Sequence, residues 1–232
     1  MIKYLRNFYY VVRYEAKNLL YKAIFPLIIY LAPTLAYSEQ KVFILGDSIT
    51  HGFGLAVEDG LVNQLSNWFA SEGLNITFIN GGVSGDTTAG GLERLSWSLT
   101  DDVSALVVAL GANDVLRGFP PELTRENLSA IIDIAENNKT PVLLVGTYAP
   151  GNYGEQYKLD FDAIFTDLVE EKRIAYIDSY FKPMVDDIKN GKDVSHLLQA
   201  DGLHPNPAGV KVIVEYISPQ ILKFLRKEKI IQ

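Results

Sequence analysis

Lys41-Val42-Phe43-Ile44-Leu45 is a short segment with one lysine followed by a continuous apolar run, and it ends at a glycine, Gly46. A run of this kind is typical of a strand that is buried on both faces, because neither face carries alternating polar side chains. Four similar runs follow it along the chain, at Asn75–Ile79, Ala105–Leu110, Val142–Gly146 and Ile174–Ile177. The sequence therefore predicts five buried strands of a parallel sheet.

Helical stretches lie between and after these runs. Gly60–Glu72 places its large apolar side chains on one face, as a helix packed on a sheet requires. Asn206-Pro207 is typical of a helix N-cap followed by proline at the first helical position. Alternating strands and helices predict a three-layer α/β/α sandwich with right-handed crossovers. The other predicted helices are Leu123–Asn137, Phe161–Glu171 and Pro207–Leu225.

Charge is distributed unevenly along the chain. The 232 residues include 21 Lys+Arg and 28 Asp+Glu, a formal charge of −7. The first 38 residues hold five basic residues and one acidic residue, which leaves 16 basic and 27 acidic residues, or −11, in the rest. That acidity argues against a general nucleic-acid binder. The absence of cysteine excludes a disulfide framework, thiolate catalysis and a cysteine zinc site.

The basic N-terminal segment has the pattern of an export signal. Ala23–Ala36 is an uncharged apolar run, which two prolines interrupt and which is shorter than the roughly 20 residues of a membrane span. The segment Ala36-Tyr37-Ser38 then has small residues at its first and last positions, as a cleavage site requires. We expect 1–38 to be a signal peptide cleaved after Ser38, with a single mature domain at 39–232 in the periplasm or outside the cell. An uncleaved anchor is the alternative, and the long basic region leaves open a translation start downstream of Met1.

A serine follows the first predicted strand, in Gly46-Asp47-Ser48-Ile49-Thr50. Sites in open α/β sheets gather at the carboxyl ends of the strands, so Ser48 is well placed to act as a nucleophile. Such strings are also common in ordinary turns. The segment is not the nucleophile elbow of Gly-x-Ser-x-Gly, because Thr50 stands where the second glycine would be.

A base for that serine is available near the C-terminus. Asp201 and His204 lie three residues apart in a segment rich in glycine and proline. A serine hydroxyl needs a positioned base, and a histidine oriented by a carboxylate can serve. A loop histidine bonded to backbone is the alternative for His204. Of the other histidines, His51 follows Ser48 too closely to turn back onto it, and His196 is expected on a helix face.

Two further strand ends carry groups that could stabilise negative charge. The glycine-rich segment Asn80–Thr87 offers backbone N–H groups before a helix, but it lacks the lysine of a phosphate-binding P-loop. Asn113, in Gly111–Asp114, could donate an amide hydrogen to an oxyanion without adding charge. An ordinary turn asparagine is the alternative.

Together these segments resemble the Gly-Asp-Ser-Leu esterases, also called SGNH hydrolases. The resemblance covers nearly all of residues 41–225. It is carried by Gly46–Ile49, Gly85 within Ser84–Thr87, Gly111–Asp114 and Asp201–Pro205. It looks closest to the bacterial periplasmic arylesterase and thioesterase/lysophospholipase branch, on the segments Gly90–Leu95, Leu116–Phe119 and Pro150–Gly154.

The resemblance implies a flavodoxin-like, five-stranded SGNH hydrolase fold and a particular active site. Ser48, Asp201 and His204 would be catalytic, and the oxyanion hole would consist of the N–H groups of Ser48 and Gly85 with the side chain of Asn113. No metal or other cofactor would be required. Two departures are mild, since neither removes a catalytic group: isoleucine replaces the usual leucine at position 49, and alanine stands at position 112 where many members have glycine.

The resulting expectation is a secreted serine esterase that forms an acyl-enzyme on Ser48. Its substrate would be a small acyl ester or thioester, as for an arylesterase, an acyl-CoA thioesterase or a lysophospholipase. We expect a monomer with no nucleic-acid partner and no membrane span after signal cleavage. A carbohydrate O-acetylesterase of the same superfamily is one alternative, and the length of the acyl pocket would distinguish the two kinds of enzyme. A non-enzymatic exported protein that binds an anion is the other.

Other polar and aromatic residues are expected to have structural roles or to shape the pocket. We expect Asp47 and Asp114 to brace their loops, and the adjacent acids Asp101-Asp102 and Asp186-Asp187 to lie on the solvated surface. An aromatic stripe near the fourth strand is expected to line an acyl pocket, with ordinary packing as the alternative. This stripe consists of Tyr148, Tyr153, Tyr157 and Phe161.

Overall fold

The sheet has five parallel strands, as the sequence predicts. The computed structural model describes residues 39–232, and the predicted signal peptide at 1–38 lies outside them. The strands are β1 (Gln40–Gly46), β2 (Ile76–Gly82), β3 (Ala105–Ala109), β4 (Val142–Val145) and β5 (Ala175–Ile177). Their order is β2-β1-β3-β4-β5, the flavodoxin-like order, and every neighbouring pair is parallel. The edge strands β2 and β5 are only partly buried, so the expected burial on both faces holds for the three inner strands.

Helices connect the strands and follow the last one. The four helices predicted with bounds are present, a fifth follows Thr87 as expected, and the described residues hold three more. Within residues 39–232 no helix is long and apolar enough to span a membrane. The helices are α1 (Ser48–His51), α2 (Leu61–Ser71), α3 (Thr88–Ser98), α4 (Ala112–Leu116), α5 (Pro121–Asn137), α6 (Glu155–Lys172), α7 (Lys182–Lys189) and α8 (Pro207–Lys227).

Two apolar layers hold the helices onto the sheet. Val42 and Ile44 of β1 pack on one face, with side chains of α2, α7 and α8. Phe43 and Leu45 pack on the other face, with side chains of α3, α5 and α6. Fully burying such a side chain stabilises the fold by roughly 1.5–3 kcal/mol. This double burial explains why β1 is continuously apolar, and it confirms the predicted three-layer sandwich.

Helix α7 is one of the helices that the sequence analysis does not predict. Its apolar residues Met184, Val185 and Ile188 lie on one face, but eight residues are fewer than the roughly 11 over which a helical period can be recognised. Lys182 and Asp186, which are four residues apart, form an ion pair on its surface. The helix matters for the site because Met184, Val185 and Ile188 line an apolar cavity at the carboxyl edge of the sheet.

Candidate active site

The end of β1 places Ser48 at the carboxyl edge of the sheet. Asp47 is the N-cap of α1, and its Oδ1 accepts a hydrogen bond of 3.1 Å from the N–H of Ile49. Ser48 is the first residue of α1, where a backbone N–H has no partner within the helix. Gly46 is required just before this turn, because a Cβ there would lie 2.0 Å from Oγ1 of Thr50.

The loop that carries His204 is held by a short pairing of its two ends. Leu198 and Pro205 form an antiparallel bridge, and the N–H of Gln199 donates to the carbonyl of His204 at 2.8 Å. The side-chain amide of Gln199 also donates to the carbonyls of Phe53 at 2.8 Å and Pro205 at 3.0 Å. Gln199 therefore ties the His204 loop to the segment that follows the Ser48 helix.

Asn206 fixes the other end of the same loop. Its Oδ1 caps α8 by accepting hydrogen bonds from the N–H groups of Ala208 at 2.9 Å and Gly209 at 3.1 Å, as the sequence predicts. Its Nδ2 donates to the carbonyls of His196 and Leu198. The helix cap thus anchors the segment that presents His204.

Three side chains form a continuous hydrogen-bonded chain. Nε2 of His204 lies 2.9 Å from Oγ of Ser48, and Nδ1 of His204 lies 2.7 Å from Oδ2 of Asp201. Oδ1 of Asp201 accepts hydrogen bonds from the N–H groups of His204 at 3.0 Å and Leu203 at 2.9 Å. These backbone hydrogen bonds, together with that from the His204 ring, lower the pKa of Asp201 to about 2. An ionised Asp201 holds the proton on Nδ1, so Nε2 can accept the hydroxyl proton of Ser48.

The three groups expected to bind an oxyanion face one cavity with Ser48 and His204. Gly85 and Asn113 line this cavity of about 210 Å³, which also contacts Phe53. Gly85 has φ of +80°, a left-handed conformation that glycine adopts readily. The side chain of Asn113 makes no hydrogen bond to any residue between 39 and 232, so its amide can bind a ligand.

Asp114 has the bracing role that the sequence predicts, although it lies in helix α4 rather than in a loop. Its carboxylate is buried and accepts hydrogen bonds from the N–H of Thr88, at 2.9 Å, and from that residue's hydroxyl. The hydroxyl of Thr124 lies 3.4 Å from the same carboxylate. Asp114 therefore connects the helix that carries Asn113 to the helices α3 and α5.

An apolar cavity adjoins the site. It has a volume of about 380 Å³ and is lined by side chains of α7 and of the segments after β3, β4 and β5. Four of its residues also line the cavity around Ser48 and His204, so the two spaces share walls. These shared residues are Ala112, Leu116, Phe181 and Leu203.

The four residues of the aromatic stripe, which the sequence analysis assigns to an acyl pocket, lie in different surroundings. Tyr148 lines the apolar cavity. Phe161 is fully buried in the core beneath α6. The hydroxyls of Tyr153 and Tyr157 donate to backbone carbonyls of the segment after α4, at 3.0 and 2.8 Å. Of these four side chains, only that of Tyr148 therefore lines the apolar cavity, and the other three pack against neighbouring segments.

The other two histidines do not contact Ser48. Nδ1 of His51 lies 2.8 Å from Oγ of Ser84, in the loop that carries Gly85. The sequence analysis excludes His51 as the base but does not assign it this contact. His196 lies on a short 3-10 helix, Ser195–Leu197, with its side chain exposed.

The adjacent acids lie on the surface, as predicted. Asp102 pairs with Lys41 at 2.5 Å, and Asp187 pairs with Lys192 at 2.8 Å. Asp101 is exposed. Across residues 39–232, no cluster of three or more histidine or carboxylate side chains has the arrangement of a metal site.

Burial raises the pKa of Asp47 to about 6, so replacing this carboxyl should make stability less dependent on pH. Because the folded state holds this proton more tightly than the unfolded state, the group's contribution to the free energy of unfolding is complete below its ordinary pKa near 4. That contribution is lost as pH rises through about 6. Asp47→Asn should therefore exceed wild type in free energy of unfolding by about 2–3 kcal/mol at pH 8, with the gain vanishing near pH 4. Urea unfolding from pH 4 to 8 measures this, with exposed Asp101→Asn as the control. A gain that is equal at every pH would contradict the assignment.

A sequence model of the "GDSL-like Lipase/Acylhydrolase family" matches residues 44–212. This match covers most of the chain and includes the Ser48, Asn113 and His204 segments. The chain belongs to this family, and it is a carboxylic ester hydrolase of the SGNH type.

Individual relatives agree with this assignment. The chain is 32% identical over 189 residues to an arylesterase of Vibrio mimicus, covering 81% of this chain and 91% of that protein. It is 33% identical to the esterase TesA of Pseudomonas aeruginosa, covering 81% and 90% of the two chains. It is 31% identical to thioesterase 1/protease 1/lysophospholipase L1 of Escherichia coli K12, covering 80% and 85%.

Solved structures share the fold over nearly their whole length. A crystal structure of TesA superposes with a TM-score of 0.72 at 32% identity, covering 80% of this chain and all of that one. The psychrotrophic esterase EstA from Pseudoalteromonas, inhibited by monoethylphosphonate, gives a TM-score of 0.74 at 32% identity, covering 81% and 100%. These comparisons confirm the predicted fold class.

Proposed function

We propose that the protein is a serine esterase that hydrolyses carboxylic esters or thioesters through an acyl-enzyme on Ser48. The observation that carries this proposal is the hydrogen-bonded chain of Ser48, His204 and Asp201, with contacts of 2.9 and 2.7 Å. A hydroxyl, a base and an orienting carboxylate in this order are what acyl transfer requires.

In the proposed reaction, His204 accepts the hydroxyl proton of Ser48 as Oγ bonds to the carbonyl carbon of the substrate. The carbonyl oxygen becomes an oxyanion, which the N–H groups of Ser48 and Gly85 and the amide of Asn113 stabilise. His204 then gives the proton to the departing oxygen or sulfur as the bond to the acyl carbon breaks. Water, deprotonated by His204, releases the acid by the same steps and restores the hydroxyl of Ser48.

The neighbouring cavity favours acyl chains longer than acetyl. Its volume of about 380 Å³ and its apolar walls suit an aliphatic chain that extends from the carbonyl past Leu116, Phe181 and Leu203. Burying each methylene group favours binding by about 0.8 kcal/mol. A carbohydrate O-acetylesterase would not need such a space beside its site, so we favour an esterase or thioesterase for longer acyl groups.

The test is hydrolysis of nitrophenyl esters from acetate to palmitate, with acyl-CoA and lysophospholipid alongside. We expect kcat/KM to rise with chain length beyond acetate and to fall once the chain exceeds the cavity. A maximum at acetate would instead favour the O-acetylesterase. If no ester is cleaved and a serine-directed organophosphonate leaves Ser48 unlabelled, the proposed function is wrong and a binding protein becomes the better account.

We further propose that the enzyme acts in the periplasm or outside the cell, with 39–232 as its mature domain. The charge pattern and the apolar run at Ala23–Ala36 support this export. Mass spectrometry of the exported protein should give an N-terminus at or near Glu39. Recovery of the full-length chain in the membrane fraction would show that the segment is an anchor.

Asn113→Ala should lower kcat by roughly 10²–10³ with little change in KM, because the amide would act only on the developing oxyanion. Asn113→Asp should be worse, since a carboxylate repels that charge. Stability should change by less than about 1 kcal/mol, because this amide makes no hydrogen bond within the described residues. Kinetics and urea midpoints check both variants, with exposed Asn190→Ala as control. A normal kcat with a lowered midpoint would make Asn113 a structural residue.

A further inference from the structure

The loop that carries Gly85 is open to solvent on most sides. It is a turn in which the N–H of Asp86 donates to the carbonyl of Val83 at 3.0 Å. Val83 and Ser84 are exposed. A Cβ built on Gly85 would meet one atom within 4 Å, Nη2 of Arg117, at 3.7 Å. Apolar packing therefore does little to fix the direction of the Gly85 N–H.

Side chains hydrogen-bond to three consecutive residues of this loop. Nδ1 of His51 lies 2.8 Å from Oγ of Ser84, the residue before Gly85. Nη2 of Arg117 donates to the carbonyl of Gly85 at 2.7 Å, and Nε of Arg94 donates to the carboxylate of Asp86 at 2.7 Å. His51 therefore holds the side chain that precedes Gly85, and Arg117 holds the peptide unit that follows it.

His51 and Arg117 each come from an element that carries another oxyanion donor. His51 is the last residue of α1, three residues after Ser48. Arg117 caps the C-terminus of α4, and its N–H donates to the carbonyl of Asn113 at 3.2 Å. The Gly85 loop is thus hydrogen-bonded directly to the helix of Ser48 and to the helix of Asn113.

We propose that His51 and Arg117 are positioning residues that hold the N–H of Gly85 in the oxyanion hole. His51 sets the distance of this N–H from that of Ser48, and Arg117 sets its distance from the amide of Asn113. The inference rests on the proposed function, because it takes Gly85 as an oxyanion donor. Neither side chain exchanges a proton with the substrate.

Loss of a positioning residue has a different effect from loss of a residue that only stabilises the fold. Both hydrogen bonds are exposed, so each contributes at most about 1 kcal/mol to folding. Oxyanion donors, in contrast, must lie within a few tenths of an ångström of their place, since losing one costs roughly 10²–10³ in kcat. Releasing the Gly85 loop should therefore slow the reaction while leaving stability and substrate binding nearly unchanged.

The experiment compares matched variants of the full chain on the nitrophenyl ester that wild type hydrolyses best. His51→Leu removes the hydrogen bond, whereas His51→Asn keeps a polar atom at the δ position. Arg117→Met removes the other hydrogen bond. His196→Leu and Arg226→Met are the controls, because both replace exposed side chains of the same types elsewhere. kcat, KM and the thermal midpoint are measured for each.

We expect His51→Leu and Arg117→Met each to lower kcat by about tenfold, with KM within about twofold and an unchanged midpoint. Ser84→Ala should match His51→Leu, and combining these two should cost no more than either, since they remove the same hydrogen bond. His51→Asn should recover most of the rate. Combining His51→Leu with Arg117→Met should approach, but not exceed, the loss of one donor, about 10²–10³.

The outcomes separate this inference from the function on which it rests. An active wild type whose kcat survives both His51→Leu and Arg117→Met would overturn the positioning role and leave the esterase intact. Equal losses in His51→Leu and His51→Asn, or losses confined to KM or to the midpoint, would also overturn it. A wild type that cleaves no ester would overturn both proposals.

Discussion

Ser48→Ala and His204→Ala should each lower kcat by about 10³ or more, and the double variant should lose no more than either single variant. The reason is the 2.9 Å contact between Nε2 of His204 and Oγ of Ser48. Without the hydroxyl, the base has no proton to accept. Without the base, the hydroxyl remains a poor nucleophile near neutral pH. The residual rate should reflect the oxyanion hole and substrate binding.

The measurement is kcat for wild type, both single variants and the double variant on one ester, with enzyme concentrations taken from absorbance and the folded state of each variant checked by circular dichroism. His196→Ala serves as the histidine control, because its side chain lies on the surface. If the double variant loses the sum of the two single free-energy changes, Ser48 and His204 act separately and the proposed mechanism fails.

Asp201→Asn should lower kcat by about 10³–10⁴ while the loop keeps its conformation. The asparagine Oδ1 can still accept the two backbone hydrogen bonds from Leu203 and His204. Its Nδ2 would then face Nδ1 of His204 as a donor. Since a donor there pushes the ring proton to Nε2, the ring could no longer accept the hydroxyl proton of Ser48.

A matched control is available in the same region of the chain. Asp193 also accepts a backbone hydrogen bond, from the N–H of Ser195 at 2.9 Å, but it lies outside the site. Asp193→Asn should keep kcat near that of wild type. If Asp201→Asn and Asp193→Asn have similar kcat values, Asp201 only anchors its loop.

The fold could be predicted from the sequence because β1 is buried on both faces. Its side chains alternate between two apolar layers, and that requirement leaves a continuous apolar run at residues 42–45. The same physical condition applies to β3 and β4. Helix α7 could not be predicted, because its eight residues are fewer than the roughly 11 over which a helical period can be recognised.

Some residues of the candidate site could likewise be predicted from the sequence, and others could not. Ser48, Asn113, Asp201 and His204 could be proposed from segments that follow a strand or have a recognisable composition, whereas Gly85 is implied by the family resemblance. Ser48, Gly85 and Asn113 face one cavity because β1 lies between β2 and β3. His204, to which Asp201 is hydrogen-bonded, lines the same cavity from its own loop.

The supporting contacts could not be predicted from the chain alone. Gln199 reaches the carbonyl of Phe53, which is 146 positions away, and no local pattern marks a glutamine for that task. His51 could be excluded as the base from its spacing, yet its contact with Ser84 depends on how β2 ends beside α1. The aromatic stripe misled for a related reason, since the hydroxyls of Tyr153 and Tyr157 bind carbonyls almost forty residues away, which no local pattern indicates.

The strand order also separates the strands that hold the reacting groups from those that shape the apolar cavity. Bond making and breaking would be assigned to the ends of β1, β2 and β3 together with the His204 loop, whereas α7 and the ends of β4 and β5 shape most of the apolar cavity. Selection could therefore lengthen or shorten the accepted chain through residues such as Val185 and Ile188 without disturbing the reacting groups. The part of the molecule that shapes the apolar cavity can thus change with the substrate, while the part that holds the reacting groups stays the same.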